Sequence, residues 1–102
     1  MGKVLILSRG TGQAKEFKKA LEKYTNENGM VLNYIFSNEE NMNRYIKTED
    51  INIVLISPEM MLVEERIKLE LEKNKLPYIE LRPVDFGLKR IEKVMTLINK
   101  YL

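Results

Sequence analysis

Short apolar runs alternating with amphipathic helical patterns constrain this chain more than any other feature. Val4-Leu5-Ile6-Leu7 and Ile53-Val54-Leu55-Ile56 carry no polar residue, so strands built from them must be covered on both faces. The patterning predicts strands over Lys3–Leu7, Met30–Phe36, Ile51–Ile56 and Pro77–Leu81. A first helix is predicted from Gln13 to about Asn28. It carries Ala14, Phe17, Leu21 and Tyr24 on one stripe, turns Lys15, Lys18, Lys19 and Lys23 away, and stops at Asn28-Gly29. Ser37 is placed to cap a short second helix, with Glu40 completing a capping box and Met42, Tyr45 and Ile46 inward. Ser57-Pro58 ends the third strand, and a third helix runs from Glu59 to about Asn74 on Val63, Ile67 and Leu71. Pro83 and Asp85 open a last helix whose stripe is Leu88, Ile91, Val94, Met95, Ile98 and Leu102.

The order is βαβαβαβα. Right-handed crossovers on doubly apolar strands give an α/β three-layer sandwich, a four-stranded parallel sheet with helices on both faces. The flavodoxin-like order 2-1-3-4 puts the first strand inside the sheet. Residues 1–102 read as a single domain without repeat or linker. In such sheets ligands gather at the carboxyl ends of the strands. The loop Ser8 to Gln13 and the turn Ser57-Pro58-Glu59 are therefore expected side by side.

Composition removes several chemistries. The chain has neither cysteine nor histidine, which excludes a Ser-His-Asp triad, thiolate chemistry and zinc sites of the usual kind; no metal site is expected. A net charge of +2 with no arginine-rich or aromatic-interleaved patch gives no reason to expect nucleic acid. No apolar run approaches the roughly 20 residues of a membrane span, and no secretory leader is evident, so a cytoplasmic protein is expected.

The loop after the first strand, Ser8-Arg9-Gly10-Thr11-Gly12-Gln13-Ala14, is the main candidate site. Glycines allow positive φ and close backbone approach, hydroxyls add donors, and the following helix presents unpaired N–H groups. That combination suits a phosphate group, and it equally suits an ordinary capped βα turn. A two-component receiver is excluded, because Ser8-Arg9 and Ser57-Pro58 stand where acidic residues belong. A low-molecular-weight tyrosine phosphatase is excluded by Ser8 and Ala14 in place of its cysteine and arginine. A flavodoxin phosphate loop remains an alternative, as a non-catalytic phosphate- or FMN-binding module, although the chain has no tryptophan to help sandwich a flavin.

Over its whole length the chain resembles the enzyme IIB components of the lactose/cellobiose branch of the bacterial sugar phosphotransferase system. Those proteins follow a short apolar strand with a cysteine and a loop such as C-A-G-S-G-T-S, similar to Ser8 through Ala14 here. They end the third strand with a run such as V-V-L-L-G-P-Q, similar to Ile53-Val54-Leu55-Ile56-Ser57-Pro58-Glu59. Cellobiose-type members open the last helix near an Asp-aromatic-Gly triplet, matched by Asp85-Phe86-Gly87. The resemblance implies a phosphocarrier and no cofactor. A phosphohistidine on enzyme IIA gives its phosphoryl group to IIB, which passes it to a sugar held by the membrane component IIC. It also implies a cytoplasmic domain peripheral to the membrane through IIC.

The resemblance implies that Ser8 stands at the phosphocysteine position, with the backbone of Arg9, Gly10, Thr11, Gly12 and Gln13 as the anion cradle. A serine hydroxyl is protonated near neutral pH and no histidine is present to activate it, so the chain as written is expected to be inactive in transfer. An engineered Cys-to-Ser replacement and a natural relative without the thiol both fit. A gap-free alignment that puts Leu7 at the cysteine position is the lesser alternative, because it ends the first strand one residue early. Arg9 is expected to be a solvated loop charge. Glu59, in place of the family's glutamine, is expected to weaken anion binding modestly unless it faces solvent, or to serve as a helix-start carboxylate. Met60 and Met61 are expected in core or partner-facing packing.

Overall fold

The computed structural model describes residues 2–102. Its strands are β1 (Gly2–Leu7), β2 (Leu32–Ser37), β3 (Ile53–Ile56) and β4 (Tyr78–Glu80), all parallel in the order β2-β1-β3-β4. Its helices are α1 (Gly12–Glu27), α2 (Met42–Thr48), α3 (Glu64–Lys73), α4 (Pro83–Gly87) and α5 (Ile91–Ile98). The three-layer α/β architecture and strand order expected from the pattern are those observed.

Alternation along the central strands divides the core in two. Val4, Ile6, Ile53 and Leu55 face α1, α4 and α5, meeting Phe17, Leu21, Phe86, Val94 and Ile98. Leu5, Leu7, Val54 and Ile56 face the other way, onto Met42, Ile67 and Leu71 of α2 and α3. Phe17 and Phe86 lie 5.0 Å apart between ring centroids, fixing α4 against α1. Tyr34 is buried with its hydroxyl 2.7 Å from Thr25 Oγ1, and burial raises its pKa.

Three helices end in the same way. At the close of α1, Gly29 adopts φ +65°, Gly29 N–H donates to the Asn26 carbonyl and Met30 N–H to the Thr25 carbonyl. After α3, Lys75 (φ +56°) donates to Glu72 and Leu76 to Leu71; after α4, Lys89 (φ +50°) donates to Phe86 and Arg90 to Asp85. Each is a Schellman closure with a left-handed residue after the cap. The first was legible because it uses glycine. The last was not, and the single final helix expected from Pro83 onward is two, α4 and α5, with Leu88 turned outward and 65% exposed. Leu102 is exposed as well.

Other boundaries move for local reasons. Ser37 is not a helix cap. It extends β2 opposite Leu7, and the turn that follows is closed by Asn38, whose Oδ1 accepts from Asn41 N–H. The expected capping box therefore does not form. Pro58–Val63 forms a 3-10 turn, so α3 begins at Glu64 and not at Glu59. A lysine held at positive φ is strained where glycine is not. Lys89→Gly should stabilise the fold by about 1 kcal/mol, read as a higher denaturant midpoint at unchanged slope.

Candidate functional site

β1 is paired on both sides, and the pairing continues past its last residue. Ser8 N–H donates to the Ser37 carbonyl (3.0 Å), and Ser57 N–H donates to the Leu7 carbonyl (3.1 Å). These two bonds draw the ends of β2, β1 and β3 together and bring the Ser8 loop beside Ser57-Pro58-Glu59. Leu7 lies wholly inside the core as the last residue of β1, so Ser8 is the first residue of the loop.

Ser8 is itself buried, and its Oγ accepts from Gly10 N–H at 3.2 Å. The hydroxyl is turned into the loop. Thr11 caps α1: its Oγ1 accepts from Ala14 N–H (3.2 Å) and its carbonyl from Lys15 N–H. The amides of Thr11, Gly12 and Gln13 meet no protein acceptor among the described residues. They are donors at the open mouth of the loop, at the positive end of α1.

Glu59 is half-exposed and reaches across to this loop. One carboxylate oxygen accepts from Arg9 N–H at 2.8 Å, and the other accepts from the Thr11 hydroxyl. In return Arg9 Nε donates to the Glu59 carbonyl at 3.0 Å. Arg9 is exposed, as expected, but it is engaged, joining the two loops. Pro58 starts the 3-10 turn that carries Glu59. Ser57 is buried, and its Oγ has no hydrogen-bond partner among the described residues. Asp85, from the Asp-Phe-Gly triplet, lies on α4 with one buried oxygen likewise unpaired, Lys93 and Arg90 standing 3.7 and 4.0 Å away.

Three shallow clefts border this edge. One of about 280 Å³ lies between Ser8-Arg9 and Asn38–Glu40, and one of about 170 Å³ lies between Ser8–Gly10 and Phe36–Asn38. The third, about 310 Å³, lies at the ends of β3 and β4 beside Ser57, Pro58 and Met61. Phe36 is the sole aromatic side chain among their linings. A flavin ring seeks a stacking pair, and these clefts do not offer one. Lys18, expected to be solvated, sits over Phe36 at 5.6 Å from the ring centroid. Met60 is buried under the turn, while Met61 and Leu62 are 73% and 87% exposed. Among the described residues no cluster of three or more potential metal ligands occurs, and no helix is long and apolar enough to cross a membrane.

The two glycines of the loop differ. Gly10 has φ +69°, which a residue with a Cβ adopts only under strain. Gly12 begins α1 without such a φ, and a Cβ there would meet nothing within 4 Å. Gly10→Ala should therefore cost about 1–2 kcal/mol of stability, while Gly12→Ala should be neutral or stabilising by up to about 1 kcal/mol in chemical denaturation.

The third cleft has an ionic wall. Lys68 on α3 pairs with Glu80 of β4 and, at 3.1 Å, with Glu64. Hydrogen bonding to Glu80 and then to Glu64 holds the Lys68 ammonium well above the ordinary lysine range. Hydrogen bonding to Glu80 and then to Lys68 holds Glu64 below its ordinary 4.5. A lowered carboxylate pKa contributes stability above the unfolded value and loses it as pH falls through the folded value. Lys68 remains charged throughout that range. Unfolding free energy should thus fall between about pH 5 and 3 in the wild type, and less steeply in Lys68→Met.

No protein-family model matches the chain, and no curated protein matches it in sequence. Solved structures do. The chain is similar to the cellobiose-specific phosphotransferase IIB component protein from Borrelia burgdorferi, with a TM-score of 0.79 and 18% identity over 98% of this chain and 91% of that one. It is also similar to the lactose-specific IIB component domain of the phosphoenolpyruvate:carbohydrate phosphotransferase system from Streptococcus pneumoniae. There the TM-score is 0.76 and the identity 14%, over 98% of this chain and 96% of that one. The fold is shared along almost the entire length of both.

Proposed function

We propose that this chain acts as a IIB-type domain in a sugar phosphotransferase system, meeting a IIA-type phosphoryl donor and a IIC-type membrane acceptor at the carboxyl edge of the sheet. One observation carries the reading. A fold shared over 98% of the chain with two IIB components coincides with a loop that Ser8 opens directly after β1 and that goes on through three amides without an acceptor among the described residues. In that reading Ser8 occupies the phosphoryl position, Arg9 through Gln13 supply the backbone donors, and Ser57-Pro58-Glu59 form the neighbouring wall.

The chain as written is a poor acceptor for a physical reason. The Ser8 hydroxyl is buried and already accepts from Gly10 N–H. No histidine exists to take its proton. A thiol at the same place ionises far more readily, and adjacent helix N-terminal amides favour the thiolate. The substitution to test is Ser8→Cys. Incubated with a phosphorylated IIA-type donor, it should gain the mass of one phosphoryl group, labile as a thiophosphate, whereas the wild type should gain none. Absence of transfer from donors of both the cellobiose and lactose types would count against the reading.

A further inference from the structure

The site described above holds an anion already, and the anion is its own. Glu59 presents one carboxylate oxygen to Arg9 N–H at 2.8 Å and the other to the Thr11 hydroxyl. Arg9 N–H is the first backbone donor after Ser8, and Thr11 is the cap of the helix whose amides face the loop mouth. Charge-assisted bonds of this kind are among the stronger ones a loop can make. The carboxylate is anchored from behind as well. Met60, the next residue, is buried, and the Arg9 side chain bonds the Glu59 carbonyl.

We propose that Glu59 is an internal ligand of the β1–α1 loop, whose carboxylate closes the loop against phosphate and must leave Arg9 N–H and Thr11 before a phosphoryl group can be held there. The proposal rests on the phosphocarrier reading for its biological sense but not for its test. Two effects add. A phosphate oxygen and the carboxylate compete for the same donors, and a phosphate dianion is repelled by a carboxylate left a few ångströms away. Glutamine at 59 keeps the size and one acceptor oxygen while removing the charge. Alanine removes the side chain's contacts altogether.

The test uses inorganic phosphate as the probe, titrated into the wild type, Glu59→Gln and Glu59→Ala while the amide resonances of residues 9–13 are followed. Both variants should bind phosphate on the order of tenfold more tightly than the wild type, with shifts confined to that loop. Circular dichroism melts check that each is folded, and the glutamine variant alone suffices if the alanine variant is not. Equal phosphate affinity in the wild type and the folded variants overturns the proposal.

A second arm separates it from the phosphocarrier reading. Ser8→Cys is compared with Ser8→Cys/Glu59→Gln, each incubated with a phosphorylated IIA-type donor. In the transfer the N–P bond on the donor imidazole breaks and an S–P bond forms on the introduced thiol, whose proton passes to the imidazole. The double variant should be phosphorylated several-fold faster. Tighter phosphate binding with no transfer to either variant leaves Glu59 as the closing ligand and removes the phosphocarrier reading. Transfer at the same rate to both, with phosphate affinity unchanged, keeps that reading and removes Glu59's role.

Discussion

The two-sided pairing of β1 is the constraint on which the rest of this molecule depends. Because β1 lies between β2 and β3, its end is held by Ser8 N–H to Ser37 on one side and by Ser57 N–H to Leu7 on the other. Those bonds bring three chain segments, distant in sequence, to within hydrogen-bonding reach. An edge strand, paired on one flank alone, would leave its following loop free to drift from one of its neighbours. Here the loop after β1 has no such latitude, and a carboxylate from the β3 turn can find it.

The electrostatic character of the site follows from that placement. Backbone amides at a helix start attract negative charge whatever its source. The strand order supplies a negative side chain next door, and the nearest acceptor is therefore intramolecular. The turn that holds Glu59 also carries exposed Met61 and Leu62, while Met60, between Glu59 and Met61, is buried. One short segment thus contributes an ionic group, a packing anchor and an uncovered apolar surface in successive residues.

Much of the fold was legible because its signals are local or periodic. Doubly apolar strands, a glycine after α1 and right-handed crossover together specify a parallel sheet in the order found. What escaped was chemistry without a residue signature. Lys75 and Lys89 adopt the left-handed conformation that sequence reading assigns to glycine, so the break between α4 and α5 had no marker. Ser37 and Glu40 have capping-box spacing, yet continuation of the ladder with β1 keeps Ser37 in β2. At the site, Ser8 and its glycines were recognisable from residue type. The direction of Glu59 was not, since it depends on a contact spanning 50 positions. Ser57 and Asp85, whose buried oxygens lack a hydrogen-bond partner among the described residues, belong to the same class: their standing depends on what surrounds them.

The Arg9 donor that receives Glu59 is a peptide nitrogen, present in every residue but proline. Substitution of the Arg9 side chain leaves it in place, and so does most change within the loop. Control over this part of the loop therefore falls on the acceptor. The codons for glutamate and glutamine differ by a single nucleotide, so the charge at the loop lies within one mutational step of being erased or restored, with the backbone around it left as it stands.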